Sequence, residues 1–321
     1  MAPTQTLTYD NLVTSTMAAR ATQVKEQVLK EHKAWAELSK RRKTSGMGHQ
    51  IEVPVEYGEN NTVGYLDSIE DEITVTDQQH LTLARYNPSL LAGVVKWNEE
   101  EKAQNSGKER FINLMEVKER RLKATFRRIL SQNLYGDGSG KKTNGLAMYV
   151  PTAVGSNTVG GLAEATYAWW KSQVRASGGS FAANGIFGAT TDYVLNMFIA
   201  CSDDTMPDLL LSDATVFEFA HRNFGQDVAY HNNKNFGTIG KLELMYQGVR
   251  WVWDKDADAA TLFFLHTDSF ILYETPGMAM NQTEVMTPPN QPWVKFIAFI
   301  YRHQLACDKR MLNGRISAWT A

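Results

Sequence analysis

Apolar residues at the start of the chain recur at steps of three or four positions, which predicts one apolar face of a helix. The residues of this stripe are Met17, Ala21, Val24, Val28, Trp35 and Leu38. The pattern ends near position 43 in a run of basic residues followed by Thr-Ser-Gly, which is a typical helix breaker. We therefore predict a detached N-terminal arm over residues 1–43.

Residues 50–76 instead alternate between apolar and polar positions, which is the pattern of β-strands. Ile51 begins a first run, Val63 a second and Ile73 a third, and the segment 57–61 supplies a turn between the first two runs. Three short strands with few apolar residues bury little surface by themselves. We predict a long β-hairpin that projects from the body over residues 44–82 and rests on another surface.

A long amphipathic helix is predicted over residues 106–135. Ser106 and Glu109 have the spacing of a capping box, and a glycine-rich stretch at 136–140 ends the helix. At 1.5 Å per residue, a helix of roughly 28 residues spans about 42 Å. Its apolar face consists of Phe111, Met115, Leu122, Phe126, Ile129 and Leu130.

The remainder of the chain has the mixed pattern of an α+β domain. A short strand is expected to run from Asn144 toward Pro151, and residues 167–170 form either a buried aromatic pair or a strand. Helices are predicted after Thr190 or Thr191 and after Ser212, which are candidate N-caps. Further strands are predicted at 209–211, 241–253, 261–273, 293–307 and in the C-terminal tail.

Composition excludes several classes of protein. The 321 residues are 43% hydrophobic and carry a net charge of −2, so no overall basic character indicates nucleic-acid binding. Two cysteines make a disulfide framework implausible and favour a reducing intracellular setting. No apolar stretch approaches the ~20 residues that a membrane span requires, and we expect no membrane partner.

Charge is segregated along the chain. Residues 49–80 carry eight carboxylates and no Lys or Arg, whereas residues 108–142 carry ten cations and four anions. Such a distribution indicates that copies of the chain bind one another through opposite charges. The predicted intersubunit contact joins Glu52, Glu56, Glu70, Asp71 and Glu72 to Arg120, Arg121, Lys123, Arg127 and Arg128.

The basic run Lys40, Arg41, Arg42 and Lys43 has two interpretations. It is either a solvated helix end or a DNA-facing surface. In the second case it would make weak, sequence-independent and salt-sensitive contacts to phosphates.

No constellation predicts catalysis, cofactor binding or metal binding. The segment 136–143 resembles a phosphate loop, but Lys142 stands where Ser or Thr is required, and the segment follows a helix rather than a strand. Asp254, Asp256 and Asp258 have the spacing of a calcium loop, but the bidentate glutamate is replaced by Leu265. We expect an acidic turn there and no enzymatic activity.

In sequence order these parts resemble the major capsid protein of tailed bacteriophages, which has the Hong Kong 97 coat fold. Leu-Tyr-Gly-Asp-Gly at 134–138, followed by Asn-Gly-Leu at 144–146, is similar to the turn after the spine helix of that family. Gly-Gly and Tyr-Ala-Trp-Trp within 159–170 resemble the entry to its axial domain. Pro-Asp-Leu-Leu-Leu-Ser at 207–212 and the segment 247–254 are similar to later elements of that domain.

The resemblance implies an α+β capsid fold with peripheral and axial domains. Its expected divisions are an N-terminal arm at 1–43, an extended loop at 44–82, a peripheral domain at 83–155 with its spine helix at 106–135, an axial domain at 156–284, and a return to the peripheral domain at 285–321.

The resemblance also implies a function. The chain would assemble into pentamers and hexamers of an icosahedral shell that encloses viral double-stranded DNA, and its place would be the virion, assembled in the bacterial host cytoplasm. A cellular encapsulating nanocompartment of the same fold is the alternative, and an α+β enzyme is a more distant rival.

The partners that the resemblance implies are other copies of the chain, a portal protein and weakly held packaged DNA, with a decoration protein as an optional addition. Because only about 43 residues precede the predicted loop, we expect no built-in scaffolding segment, and a separate scaffolding protein, or none, is implied. The predicted loop lacks lysine, which disfavours a Lys–Asn crosslink formed there.

Overall fold

Two β-sheets and a long helix organise the part of the chain that the computed structural model describes. That part comprises residues 33–45, 50–58, 62–65, 72, 79–104, 108–176, 193–203, 205–227 and 244–317. The mixture of helices and sheets confirms the predicted α+β class.

The first sheet has four strands in the spatial order β1-β12-β13-β4. The short edge strand β1 pairs in parallel with β12, and all other pairs in this sheet are antiparallel. These strands are β1 (Arg42–Thr44), β4 (Ser89–Asn98), β12 (Phe270–Gln282) and β13 (Val294–Cys307).

The second sheet has six shorter strands in the order β7-β14-β11-β8-β10-β9. It mixes parallel and antiparallel pairs, and its central strands β8 and β11 are buried throughout. Its strands are β7 (Gln173–Ala176), β8 (Leu209–Ser212), β9 (Leu244–Tyr246), β10 (Val249–Trp253), β11 (Leu262–Leu265) and β14 (Gly314–Ser317).

Two small antiparallel pairs complete the described strands. One joins β2 (Ile51–Glu56) to β3 (Leu81–Tyr86), and the other joins β5 (Thr158–Val159) to β6 (Leu162–Ala163).

The described helices are short, with one exception. The helix α3 has 27 residues and confirms the predicted spine helix to within two residues at its start and one at its end. The helices are α1 (Lys33–Leu38), α2 (Glu99–Gln104), α3 (Lys108–Leu134), α4 (Leu146–Tyr149), α5 (Tyr193–Ala200) and α6 (Ala214–Asp227).

The helix α3 packs across the edge strand β4 of the four-stranded sheet. Met115, Phe126 and Leu130 are buried on this face, as the periodicity predicted. Gly93 on β4 allows the close approach, because a Cβ atom there would lie 2.5 Å from the Phe126 ring and 2.6 Å from Leu122. One hydrophobic core joins this interface to one face of the six-stranded sheet, and a second core lies between that sheet and α5 and α6.

The detached arm predicted at 1–43 is wrong for its described end. Trp35 and Leu38 on α1 are 1% and 0% exposed, so this helix is part of the core. The strand β1 then extends the four-stranded sheet, with Arg42 opposite Leu272. The described end of the apolar stripe is therefore covered by its own subunit. Residues 1–32 lie outside the described part.

The predicted pairing within the hairpin is also wrong. The strand β2 pairs with β3, not with the run at 63–65, and Val63 and Tyr65 are exposed and belong to no strand. Alternation identified β2 correctly, but alternation alone does not specify the partner strand. The third predicted run, at 73–75, lies outside the described residues.

Smaller predictions fail for local reasons. Leu146–Tyr149 forms a helical turn, not a strand. Ala168–Trp170 forms a 3-10 helix, which excludes the strand alternative but agrees with the aromatic pair, because Trp170 is buried and its ring contacts that of Trp169 with centroids 5.8 Å apart. Ser212 ends β8, and the cap of α6 is the next residue, Asp213, whose Oδ1 accepts a hydrogen bond from the Val216 N–H at 3.2 Å. The candidate caps at Thr190 and Thr191, and Ser106, lie outside the described residues.

The division expected at position 284 does not coincide with the change of sheet. The chain leaves the six-stranded sheet after Leu265 and enters the four-stranded sheet at Phe270. Gly314–Ser317 then returns to the six-stranded sheet, so the C-terminal segment contributes to both sheets.

Gly145 is expected to tolerate no side chain. A Cβ atom there would lie 2.4 Å from the carbonyl oxygens of Asn133 and Leu134, at the end of α3. Because these are backbone atoms, Gly145→Ala should lower the free energy of unfolding by about 1–3 kcal/mol in urea denaturation. Gly64→Ala is the control, since nothing lies within 4 Å of that position. Equal midpoints for both variants would contradict this account.

Candidate assembly surfaces

The base of the acidic hairpin has one face on the body and one face in solvent. Along β2, Ile51, Val53 and Val55 are buried while Glu52 and Glu56 are exposed. This alternation is the direct result of the two-residue period of a strand. The carboxylates of β2 therefore point away from their own subunit.

Specific contacts fix the base of the hairpin to the body. The Arg85 N–H donates to the Gly160 carbonyl at 2.8 Å, and the Tyr86 hydroxyl donates to the Cys307 carbonyl at 3.0 Å. The ring of Tyr57 stacks on Trp169 with centroids 4.8 Å apart. The root of the hairpin is therefore held rigidly, and its direction relative to the body is set by these contacts.

The outer face of the hairpin carries both charge and apolar surface. Glu52 lies opposite Arg85 and forms an ion pair with it at 3.1 Å, in which both side chains are about half exposed. Leu81 and Leu83 on β3 are 62% and 45% exposed. Glu72 is also exposed, whereas Glu70 and Asp71 lie outside the described residues. Of the predicted acidic contacts, Glu52 therefore already has a partner within its own chain.

The solvent face of α3 presents the predicted cations unequally. Arg120, Arg121 and Arg128 are exposed, and Arg127 is half-buried. Lys123 instead forms an ion pair of 2.9 Å with Glu119, which is buried on the opposite side of the helix. The three exposed arginines lie within about 100° of the helix circumference, so they share one side of the helix.

The basic run at 40–43 is mostly engaged within its own subunit. Lys40 forms an ion pair with Glu37, and the Arg42 Nε donates to the Ser39 carbonyl at 3.1 Å. Arg41 lies 3.5 Å from Asp308. Burial raises the pKa of Glu37, but its contacts with Lys40 and Arg250 outweigh burial and hold that pKa below its ordinary value. The run is therefore not a free basic patch, and its exposed members are Lys40 and Lys43.

The other candidate sites have structural explanations. The glycine-rich segment after α3 is a turn in which the Asp137 Oδ1 accepts the Ser139 N–H at 2.9 Å. The three aspartates at 254–258 lie in a turn, where Asp256 accepts a hydrogen bond from Ser131 and Asp258 pairs with Arg315 at 2.9 Å. Within the described ranges, no group of His, Cys, Asp or Glu side chains could hold a metal ion, and no helix is long and apolar enough to cross a membrane.

One exposed apolar face of the four-stranded sheet was not predicted from the sequence. Side chains of β4 alternate between α3 and solvent, and Leu90 and Val94 on the solvent side are 58% and 53% exposed. The apolar run over 90–97 was the available signal for this strand, but it lacks the clear alternation of β2. Together with Ala298 and Ile300 of the neighbouring strand, these residues form an apolar surface without a cover in the described part of the subunit.

A buried ion pair joins the loop that follows β13 to the segment that follows β6. The side chains of Arg310 and Glu164 are both 0% exposed, with Nη2 and Oε1 2.7 Å apart. The same guanidinium donates to the carbonyls of Tyr149 and Trp170, each at 2.9 Å. Burial raises the pKa of Glu164, but hydrogen bonds from the Gly155 N–H and from Arg310 outweigh burial and hold it below its ordinary value.

Comparison with known proteins identifies the architecture. By sequence, no protein-family model and no curated protein matches the chain. By structure, the "Cyanophage A-1(L) capsid asymmetric unit" superposes with a TM-score of 0.61 at 14% identity, over 90% of this chain and 93% of that one. The chain has the Hong Kong 97 coat fold.

Two further structures support this coat fold. The capsid of a native GTA particle has a TM-score of 0.55 at 14% identity and covers 89% of each chain. The SrpI encapsulin complex of Synechococcus elongatus PCC 7942 has a TM-score of 0.53 at 11% identity, over 87% of this chain and 85% of that one.

Proposed function

We propose that this chain is the major coat protein of a tailed bacteriophage. It assembles as pentamers and hexamers into an icosahedral shell around double-stranded DNA, and it acts as a structural protein rather than an enzyme. The observation that carries this proposal is the match to capsid subunits over about nine-tenths of both chains. Such coverage leaves little of the chain for an additional catalytic domain.

The surfaces of the subunit support self-association. Arg120, Arg121 and Arg128 are exposed on the spine helix, and Glu56 and Glu72 are exposed on the predicted loop over 44–82, here called the excursion. We propose that the excursion of one subunit lies across the spine helix of its neighbour. Each exposed pair contributes ~0.2–1 kcal/mol, and several contacts per subunit in a closed shell multiply this effect.

The exposed apolar residues give the same contact a hydrophobic component. Leu81 and Leu83 accompany the carboxylates on the outer face of the hairpin. Burial of apolar surface contributes ~25 cal/mol per Å², and salt does not screen this contribution as it screens an ion pair. Charge would therefore determine the register of the contact, and the leucines would add affinity.

We also propose the partners that such a shell requires. A separate scaffolding protein directs its closure, a portal protein occupies one vertex, and a decoration protein is an optional addition on the outside. Packaged DNA makes only weak, salt-sensitive contacts, because three of the four cations at 40–43 already have partners in their own subunit. Assembly would take place in the host cytoplasm, and the mature location would be the virion.

A cellular nanocompartment shell is the second candidate, because an encapsulin is among the structures that superpose on this chain. The two functions differ in content, since one shell encloses DNA and the other encloses protein cargo.

Electron microscopy of particles purified from producing cells tests both functions. We expect closed angular shells, and after external nuclease treatment the dissociated particles should release protected double-stranded DNA. Shells that contain protein and no DNA would favour the nanocompartment. Small discrete oligomers that never close, with or without a candidate scaffolding protein, would contradict both functions.

A further inference from the structure

The N-terminal segment, residues 33–45, is fastened to the edge of the four-stranded sheet. The Ser45 N–H donates to the Glu274 carbonyl at 2.9 Å, and the Leu272 N–H donates to the Arg41 carbonyl at 2.8 Å. The same segment contacts the six-stranded sheet, because Arg250 pairs with Glu37 at 2.9 Å. The segment therefore touches both sheets and restrains their relative position.

The interface below this segment contains buried polar atoms without partners. His303 on β13 is 2% exposed, and Trp35 on α1 is 1% exposed. Among the described residues, both ring nitrogens of His303, the Trp35 Nε1 and the Ser39 Oγ have no hydrogen-bond partner. Buried polar groups without partners are rare and destabilising.

Aromatic contacts hold the imidazole in this position. Its ring stacks on Tyr301 with centroids 4.2 Å apart, and Trp35 of the N-terminal segment meets it edge-on at 6.3 Å. Both contacts accommodate a neutral ring. A charged imidazolium has two N–H donors and requires an acceptor or water for each of them. Within the described part of the chain the Tyr301 backbone and the charge of Glu274 favour the charged ring, but burial outweighs them.

The charged groups around His303 are engaged elsewhere. Glu274 lies opposite it on β12, but the Glu274 carboxylate accepts the Tyr301 hydroxyl at 2.8 Å. Arg42 of β1 lies close enough to Tyr301 to lower its pKa, although burial and Glu274 raise that pKa overall. On the segment itself, Glu37 pairs with Lys40 and Arg250, and Arg41 pairs with Asp308. Burial lowers the pKa of His303 to about 4, and the Tyr301 backbone and Glu274 offset burial only in part.

We propose that His303 is an acid-sensitive contact whose protonation releases the N-terminal segment from the sheet. The neutral ring is compatible with the seated segment, whereas the charged ring is stable only when the segment opens and admits water. The segment would then no longer cover the edge of β12, and the tie to the six-stranded sheet through Glu37 would be lost. This device belongs to the single subunit and goes beyond the proposed shell function.

The direction and size of the effect follow from the two protonation equilibria. In the open form His303 has an ordinary pKa near 6.5, and in the closed form its pKa is about 4. The closed form binds fewer protons, so it loses stability as the pH falls below 6.5. The opening equilibrium should grow about tenfold per pH unit until the pH approaches 4, which is roughly 300-fold in all.

Hydrogen exchange of unassembled subunits tests this proposal. Protection factors of the Ser39, Ser45 and Leu272 amides, corrected for intrinsic exchange, are compared with those of the β4–β13 ladder at each pH. In the wild type, the first set should fall by ~80-fold between pH 6.5 and 4 relative to the second, because each end of this range lies at one of the two pKa values. His303→Phe keeps an aromatic ring and removes the titration, so its protection ratio should stay flat.

Asp308→Asn is the matched control, because burial raises the pKa of Asp308 and this carboxyl also titrates beside the segment. The protection ratio of Asp308→Asn should keep the steep pH dependence of the wild type. A slope that vanishes in Asp308→Asn and persists in His303→Phe would overturn the proposal. If His303→Phe does not fold, His303→Gln replaces it. In the wild type alone, parallel loss of protection in both sets of amides would mean global unfolding and would also overturn it.

Discussion

Replacement of Arg310 by methionine is expected to lower the free energy of unfolding by about 3–5 kcal/mol. The substitution removes the charge that compensates Glu164, whose side chain is as inaccessible to solvent as that of Arg310. It also leaves the carbonyls of Tyr149 and Trp170 without their donor. Loss of one partner leaves a buried charge without compensation, which destabilises a protein far more than removal of both partners. The expected loss of stability therefore exceeds that of an ordinary core substitution.

Urea denaturation of the unassembled subunit measures this effect. Arg302→Met is the matched control, because Arg302 is only half-buried, on the solvent side of the four-stranded sheet, and should change stability by no more than ~0.5 kcal/mol. The double variant Arg310→Met/Glu164→Gln should recover part of the loss, since it removes the unpaired charge. If Arg310→Met unfolds at the same urea midpoint as Arg302→Met, the Arg310–Glu164 pair contributes little to stability.

The position of this pair explains why its effect is global. Glu164 lies just after β6, and Arg310 lies between β13 of the four-stranded sheet and β14 of the six-stranded sheet. The guanidinium therefore ties the β5–β6 turn, α4 and the chain crossover together. The sequence offers no periodic signal for such a residue, because one arginine in a loop has the same local pattern whether it is buried or exposed.

The parts predicted well from sequence are those that local physics determines. The sequence of the spine helix has a capping-box pattern, a strong period and a glycine-rich end, and its bounds are within two residues of those predicted. The strand β2 has the predicted alternation. Its partner β3 was missed because more than twenty residues separate the two strands, and pairing across such a distance depends on the body against which both pack.

For the candidate contact residues too, local sequence predicted some features, whereas pairing within the folded chain decided others. Charge segregation along the sequence predicted a cationic helix, and Arg120, Arg121 and Arg128 are indeed exposed on it. The sequence could not show that Lys123 pairs with Glu119 in the same helix, or that Glu52 faces Arg85 across a strand pair. Their roles in contacts between subunits stay predictions, and these intrachain pairs make Lys123 and Glu52 the weaker members of the set.

Reversal of the exposed spine charges is expected to abolish shell assembly at low salt. In Arg120→Glu/Arg121→Glu, two attractive contacts per interface become repulsive. Each pair is worth up to ~1 kcal/mol, so the association at each interface weakens by about tenfold or more. Because a closed shell repeats the interface around every ring, the yield of shells should fall much further than this factor.

Lys141→Glu/Lys142→Glu is the control for net charge, since these lysines are exposed on the turn after the spine helix. It should assemble like the wild type when particles are counted by electron microscopy and sedimentation. Raising the salt to ~1 M shortens the screening length to ~3 Å, so the reversed variant should then recover part of its yield through the salt-independent apolar contact of Leu81 and Leu83.

A second pair of changes separates this specific contact from a general loss of folding. If the excursion of one subunit lies across the spine helix of the next, Glu56→Arg/Glu72→Arg should restore assembly when combined with Arg120→Glu/Arg121→Glu, although each double variant fails alone. A merely misfolded helix would not be rescued by changes on the excursion. Wild-type yield from Arg120→Glu/Arg121→Glu at low and high salt would refute the pairing and leave the coat fold intact, because the fold depends on the buried face of the helix and not on these arginines.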